Sequence, residues 1–192
     1  MINKADIDGA LQVLKRGGVI LYPTDTVWGI GCDATNAEAV DRIYNIKQRA
    51  DSKAMICLIE NPDDLERWVD GVPEVAYQLI EAAVEPMTVI YDKACVPPIA
   101  ANLPAEDGSL AVRVTADEFC QELCRRLRRP LVSTSANISG KPTPTSFGKI
   151  SKEIVDAVDY VCTTGRAPKL EPVKSSTIIK LTESGVVTII RS

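Results

Sequence analysis

Val19-Ile20-Leu21-Tyr22-Pro23-Thr24-Asp25-Thr26-Val27-Trp28-Gly29-Ile30-Gly31 is the stretch on which the reading of the fold turns. Four consecutive apolar residues, Val19 to Tyr22, read as a buried strand, and Pro23 stops it because proline has no N–H for a ladder. Upstream, Ile7, Ala10, Leu11 and Leu14 recur at helical spacing between about Asp6 and Arg16, and Gly17-Gly18 closes that helix. Downstream, residues 28–32 read as a second short strand. Asn36 is suited to cap a helix running to Lys47, with Ala39, Val40, Ile43 and Ile46 on its inner face. Helices and strands thus interleave, which predicts an α/β protein. Two strands follow each other with no helix between them, which predicts a mixed rather than a purely parallel sheet.

The same alternation continues to the end of the chain. Strands are expected at 54–59, 87–91, 110–114, 131–134, 160–163, 177–181 and 186–191, and helical segments at 62–69, 73–83, 117–127 and 147–156. Residues 135–146 form a polar loop rich in Gly and Pro. No repeat or low-complexity tract interrupts the pattern, and 192 residues suit a single domain spanning 1–192.

Composition narrows the chemistry. Hydrophobic residues are 45% and charged residues 25%, an ordinary globular balance. No apolar run approaches the roughly 18 residues of a membrane helix. Met1-Ile2-Asn3-Lys4-Ala5-Asp6 lacks the basic and apolar regions of a signal peptide, so a cytoplasmic protein with no membrane partner is expected. The net charge of −4 disfavours a broad nucleic-acid surface, although a local basic cleft is compatible with it. There is no histidine, which removes Ser-His-Asp and Cys-His catalysis. The six cysteines form no C-x-x-C pair and read as small buried apolar residues, so no metal site is assigned to them.

Four polar segments stand at the ends of strands or helices, where ligands collect in open α/β sheets. Thr24-Asp25-Thr26 with Gly29 and Gly31 is either a turn or a ligand loop whose glycines admit a close backbone approach. Lys47-Gln48-Arg49-Ala50-Asp51-Ser52-Lys53 is either a cationic helix end or a phosphate grip. Arg113 interrupts the apolar run Leu110 to Val114. It is either an edge residue or, if it points inward, a group that demands an anionic partner. Ser133-Thr134-Ser135-Ala136-Asn137 brings hydrogen-bonding groups directly after a strand, as a capped turn or a substrate-orienting site. Neither a Walker A loop nor G-x-G-x-x-G is present.

Taken together, from Gly17 to Arg191, these segments resemble the YrdC family, the threonylcarbamoyl-AMP synthases. Lys47, Arg49, Ser135 and Asn137 match its K-x-R and S-x-N signature, and Pro23 to Gly29 is similar to its P-T-[ED]-T-x-[YW]-G segment. Val112-Arg113-Val114 resembles its V-R-x-P strand with Thr115 in place of proline. Ser176-Thr177 and Arg191 resemble its late S-T pair and final arginine. Departures fall at residues 50–55, at Leu58 where some relatives carry histidine, and at Glu85-Pro86-Met87 within the usual Pro-Gly-Pro-x-Thr segment.

The resemblance implies a twisted, open sheet of mixed parallel and antiparallel strands with flanking helices and a ligand cleft. It implies an enzyme, a nucleotidyltransferase that joins L-threonine, bicarbonate and ATP (with Mg2+) into threonylcarbamoyl-AMP and releases pyrophosphate. A tRNA threonylcarbamoyl transferase complex would take the product for modification of tRNA, and the resemblance also implies a weak tRNA or RNA contact by this chain. Thr26, Arg113, Ser135 and Ser176 would hold threonine; Arg49, Lys53, Ser109, Asn137, Thr145 and Arg191 would contact ATP; Lys47 and Arg49 would be catalytic through their charge. Two other readings make different predictions: an RNA-binding module, with a steep salt dependence on structured RNA, and a divergent nucleotide-binding paralogue without turnover.

Overall fold

The computed structural model describes residues 3–48, 55–167 and 175–192. Helix α1 spans Lys4–Lys15, and the Asn3 side chain accepts from the Asp6 amide at its start. Its buried face is Ile7, Ala10, Leu11 and Leu14, the stripe expected from the spacing, joined by Asp6. Strands β1 (Ile20–Tyr22) and β2 (Gly29–Gly31) follow, both fully buried. Helix α2 (Ala37–Lys47) starts on Asn36, whose side chain accepts from the Ala39 amide. It ends on Gln48 in the left-handed conformation at φ 49, an uncommon setting for a residue with a side chain.

The remaining elements are β3 (Ile56–Ile59), α3 (Val75–Ala82), β4 (Met87–Tyr91), β5 (Leu110–Val114), α4 (Glu118–Leu127), β6 (Leu131–Ser135), α5 (Lys152–Ala157), β7 (Tyr160–Val161), β8 (Thr177–Leu181) and β9 (Val187–Arg191). Two segments differ from the expected regular helices. Pro62–Arg67 is a 3-10 helix, started by Asn61 accepting from the Asp63 amide and anchored by buried Leu65. The span 147–156 divides into a 3-10 turn, Phe147–Lys149, and α5. Between them Ile150 is extended and turns its side chain into the core.

Among the described residues nine strands form one sheet in the order β7-β1-β2-β6-β3-β5-β4-β8-β9. β1/β7, β3/β5 and β4/β8 pair in parallel, and the other neighbours pair antiparallel. The sheet is therefore mixed and open, as the consecutive strands implied. α1 and α4 pack on each other, with α4 against β3 and α1 against β1 and β7. The placement of β5 matters most for function. It lies between β3 and β4, well inside the sheet, so Arg113 is not an edge residue. Register sets a common face: Ala111 stands opposite Ile56 and Ile90, Ser133 opposite Ile56, and Ser135 opposite Gly29. Strand side chains alternate, so these residues and Arg113 project from one side.

Two glycines serve this packing. A Cβ at Gly31 would lie 2.4 Å from the Val132 carbonyl oxygen and 2.7 Å from the Tyr22 ring. Gly29 is less crowded and borders the cavity described next.

Candidate functional site

A cavity of about 430 Å³ opens on that face of the sheet. Its floor comes from Ile56 of β3, alternate residues of β4 and β5, and the end of β6 from Ser133 to Ser135, and the loop after β1 forms one wall with Thr24 and Thr26. Ser176, which leads into β8, and Arg191, at the end of β9, form another wall. Thr26, Arg113, Ser135, Ser176 and Arg191, distant in sequence, thus share one cavity.

The polar groups around it are held by hydrogen bonds among themselves and to the backbone. The Thr24 hydroxyl donates to the Val27 carbonyl at 2.7 Å and accepts from the Thr26 amide at 3.1 Å. With its proton so used, it accepts from the Thr26 hydroxyl at 3.0 Å, which leaves Thr26 presenting lone pairs. Across the cavity the Thr88 and Ser176 hydroxyls lie 3.0 Å apart. Arg191 donates from Nε and Nη2 to the Ser176 carbonyl at 3.1 and 2.7 Å. Arg191 therefore braces the segment that carries Ser176.

Arg113 is 3% exposed, and its Nη1 lies 3.6 Å from Asp25 Oδ1. Its Nε is buried and makes no hydrogen bond. A buried guanidinium with an unmet Nε donor in a polar cavity suits a planar anion, carboxylate or phosphate.

Lys47 lies behind this wall. It is 1% exposed, and Nζ donates to the carbonyl oxygens of Ser135 at 2.5 Å and Asn137 at 2.8 Å. The Lys47 carbonyl accepts from the Ser139 amide at 2.9 Å. The last turn of α2 is thereby fastened to residues 135–139, and the ammonium does not line the cavity. The left-handed Gln48 ends the helix at this point. Arg49 and Lys53 lie outside the described residues.

The other expected nucleotide contacts are dispersed. Asn137 Nδ2 donates to the Ile138 and Lys141 carbonyls at 3.1 and 2.7 Å, so its amide shapes its own loop. Thr145 accepts from Lys149 Nζ at 3.0 Å and lines a small adjoining recess that shares Thr24 and Thr26 with the main cavity. Beside this recess the Trp28 and Phe147 rings lie 4.9 Å apart, and the Arg166 guanidinium covers Phe147 at 4.5 Å. Ser109 is not brought to the cavity. Its amide donates to Asp107 Oδ1 at 3.0 Å and its carbonyl accepts from Ala105, so it completes the turn before β5.

Thr88 and Ser133 also line the cavity; Ser133 belongs to the polar segment 133–137, but neither residue was given a ligand role of its own from the sequence. Ser133 was legible in principle, because it shares a strand face with Ser135 two residues on. Thr88 closes the segment that resembles Pro-Gly-Pro-x-Thr, but its place beside Ser176 follows only from strand pairing.

The thiols behave as small apolar groups. All six cysteines are free, and all but Cys95 are buried. Burial pushes the Cys57 and Cys124 thiols up to about 12. Among the described residues no group of three or more His, Cys, Asp or Glu side chains converges as a metal site, and no helix is long and apolar enough to cross a membrane.

An open mixed sheet whose polar cavity is floored by a buried arginine and walled by oriented hydroxyls has the chemistry of a site for small anionic molecules. Comparison with known proteins makes the class specific. The Sua5/yciO/yrdC family profile, described as telomere recombination, matches residues 12–192. The threonylcarbamoyl-AMP synthase of Xanthomonas campestris pv. campestris is 35% identical over 168 residues, covering 84% of this chain and 87% of that protein. The crystal structure of P. abyssi Sua5 complexed with L-threonine superposes with a TM-score of 0.85 at 28% identity. That match covers 94% of this chain, which spans 52% of the Sua5 chain. E. coli YciO superposes with a TM-score of 0.83 at 25% identity, covering all of this chain and 91% of the other. The chain belongs to the Sua5/YciO/YrdC family.

Proposed function

We propose that this chain is a threonylcarbamoyl-AMP synthase acting on L-threonine, bicarbonate or CO2, and ATP. The observation that carries the reading is Arg113. It is a buried, incompletely bonded guanidinium in the floor of a cavity whose walls are hydroxyls, the complement of a small hydroxylated amino acid. The name of the Xanthomonas relative and the L-threonine bound to Sua5 support the same substrate.

In the proposed reaction the threonine amine and bicarbonate condense to a carbamate with loss of water. A carbamate oxygen then attacks the α-phosphorus of ATP. The new P–O bond forms as the bond to pyrophosphate breaks, giving threonylcarbamoyl-AMP. Arg113 pairs the threonine carboxylate, while Thr26, Ser135 and Ser176 orient its amine and hydroxyl. Arg49, Lys53 and Arg191 face the nucleotide phosphates in this scheme, and magnesium arrives on the ATP as part of the substrate. The chemistry asks for placement and charge complementarity and needs no histidine or covalent nucleophile. Lys47 acts in this scheme by holding residues 135–137, the strand end from which Ser135 reaches the cavity. The product would be handed to a tRNA threonylcarbamoyl transferase complex, and the free thiols fit a reducing cytoplasm.

The test is pyrophosphate release from ATP and magnesium with bicarbonate present, as threonine is varied. The proposal expects saturable dependence on threonine and poor replacement by serine, which lacks the methyl group. Pyrophosphate release that ignores threonine would refute it.

A further inference from the structure

We infer that Asp25 is the positioning residue that presents Arg113 to the substrate carboxylate and so sets the affinity for threonine; this rests on the reading of Arg113 as the carboxylate clamp. Arg113 is held inside the sheet between β3 and β4 and is 3% exposed, so its charge requires a countercharge close by. Asp25, in the loop after β1, supplies it at 3.6 Å. That separation is longer than a hydrogen bond, so the attraction between this pair of atoms is Coulombic. The buried Nε, which bonds to nothing, marks the edge still open to a planar carboxylate.

The placement of the pair gives it a direction. Arg113 lines the main cavity, whereas Asp25 lines a second cavity of about 380 Å³ together with Glu85 and Asp117. The two charges form part of the partition between these spaces. Asp25 thus steadies the guanidinium from the side away from the substrate. With Asp25 neutral, the remaining acidic groups across the second cavity, Glu85 and Asp117, would draw the guanidinium away from the threonine space. The carboxylate of threonine would then meet a misaligned fork, while the nucleotide would be unaffected.

The experiment compares Asp25→Asn, Asp25→Glu and Arg113→Lys with the parent enzyme in threonine-dependent pyrophosphate release. Asp25→Asn is expected to raise the threonine KM about tenfold, with kcat and the ATP KM little changed. Asp25→Glu keeps the charge but moves it by one methylene and is expected to fall between the two. L-Serine has the same carboxylate, so its kcat/KM must fall by the same factor as that of threonine, an outcome that general loosening of the site does not produce. A threonine KM that is unchanged or lowered in Asp25→Asn overturns the proposal, as does a change confined to one of the two amino acids. If the asparagine variant does not fold, an unchanged threonine KM in Asp25→Glu overturns it. Failure of the underlying reading looks different: Arg113→Lys would leave the threonine KM unaltered, or the parent enzyme would show no threonine-dependent turnover.

Discussion

Replacing Lys47 with methionine separates a structural cation from a catalytic one. The substitution keeps the length of the apolar stem and removes two charge-assisted hydrogen bonds, to the Ser135 and Asn137 carbonyls. Bonds of this kind contribute about 1.5–3 kcal/mol each. Removing the ammonium also relieves the cost of burying a charge, which offsets part of the loss. A net destabilisation of about 2–4 kcal/mol follows, a drop in Tm of roughly 5–15 °C for a chain of this size. The strand end carrying Ser135 would shift, and a displacement near 1 Å costs about a hundredfold in turnover. Thermal unfolding by circular dichroism and pyrophosphate release, measured on the same preparation, check both numbers. Arg49→Ala is the comparison, because its expected role is on the nucleotide: turnover should collapse there with Tm unchanged. If Lys47→Met melts within about 2 °C of the parent while turnover collapses, its ammonium acts on the substrates and the anchoring argument is wrong.

Three further outcomes follow from the fold. Gly31→Ala places a methyl against the Val132 carbonyl oxygen and the Tyr22 ring and should cost about 1–3 kcal/mol in urea unfolding. Burial pushes the Asp6 carboxyl up, but donation from the Thr163 and Thr164 amides and the Tyr160 hydroxyl outweighs it and holds the group below its ordinary value of 3.8. A depressed carboxyl stabilises the fold above the unfolded pKa and loses that contribution as pH falls through the folded one. Asp6→Asn should therefore melt well below the parent at neutral pH, and the gap should narrow below about pH 4. Finally, iodoacetamide at mildly alkaline pH should label native protein at Cys95 alone, since the other thiols are buried, and label all six after denaturation.

Much of the architecture was legible because period and punctuation agree. The α1 stripe, the Asn36 cap and the strand before Pro23 stand where hydrophobic spacing put them. The 3-10 segment at Pro62–Arg67 was less legible, since apolar spacing over so few residues does not distinguish helix types. The site was legible as segments more than as roles. Arg113 could be read as demanding an anion, but only sheet order excluded an edge position. Lys47 could be seen as a cation at a helix end, yet its direction depends on residues 135–137, some ninety positions away in the chain. Ser109 has the residue type of a ligand group, and its turn with Asp107 accounts for it locally.

The most direct test of the proposed activity is the identity of the adenylate made from isotopically labelled bicarbonate, L-threonine and ATP, read by mass spectrometry. The proposal predicts an adenylate that contains threonine and carries the label, and none when threonine is omitted. An unlabelled threonyl adenylate would contradict it, because the amino acid's own carboxylate would then have attacked the α-phosphorus.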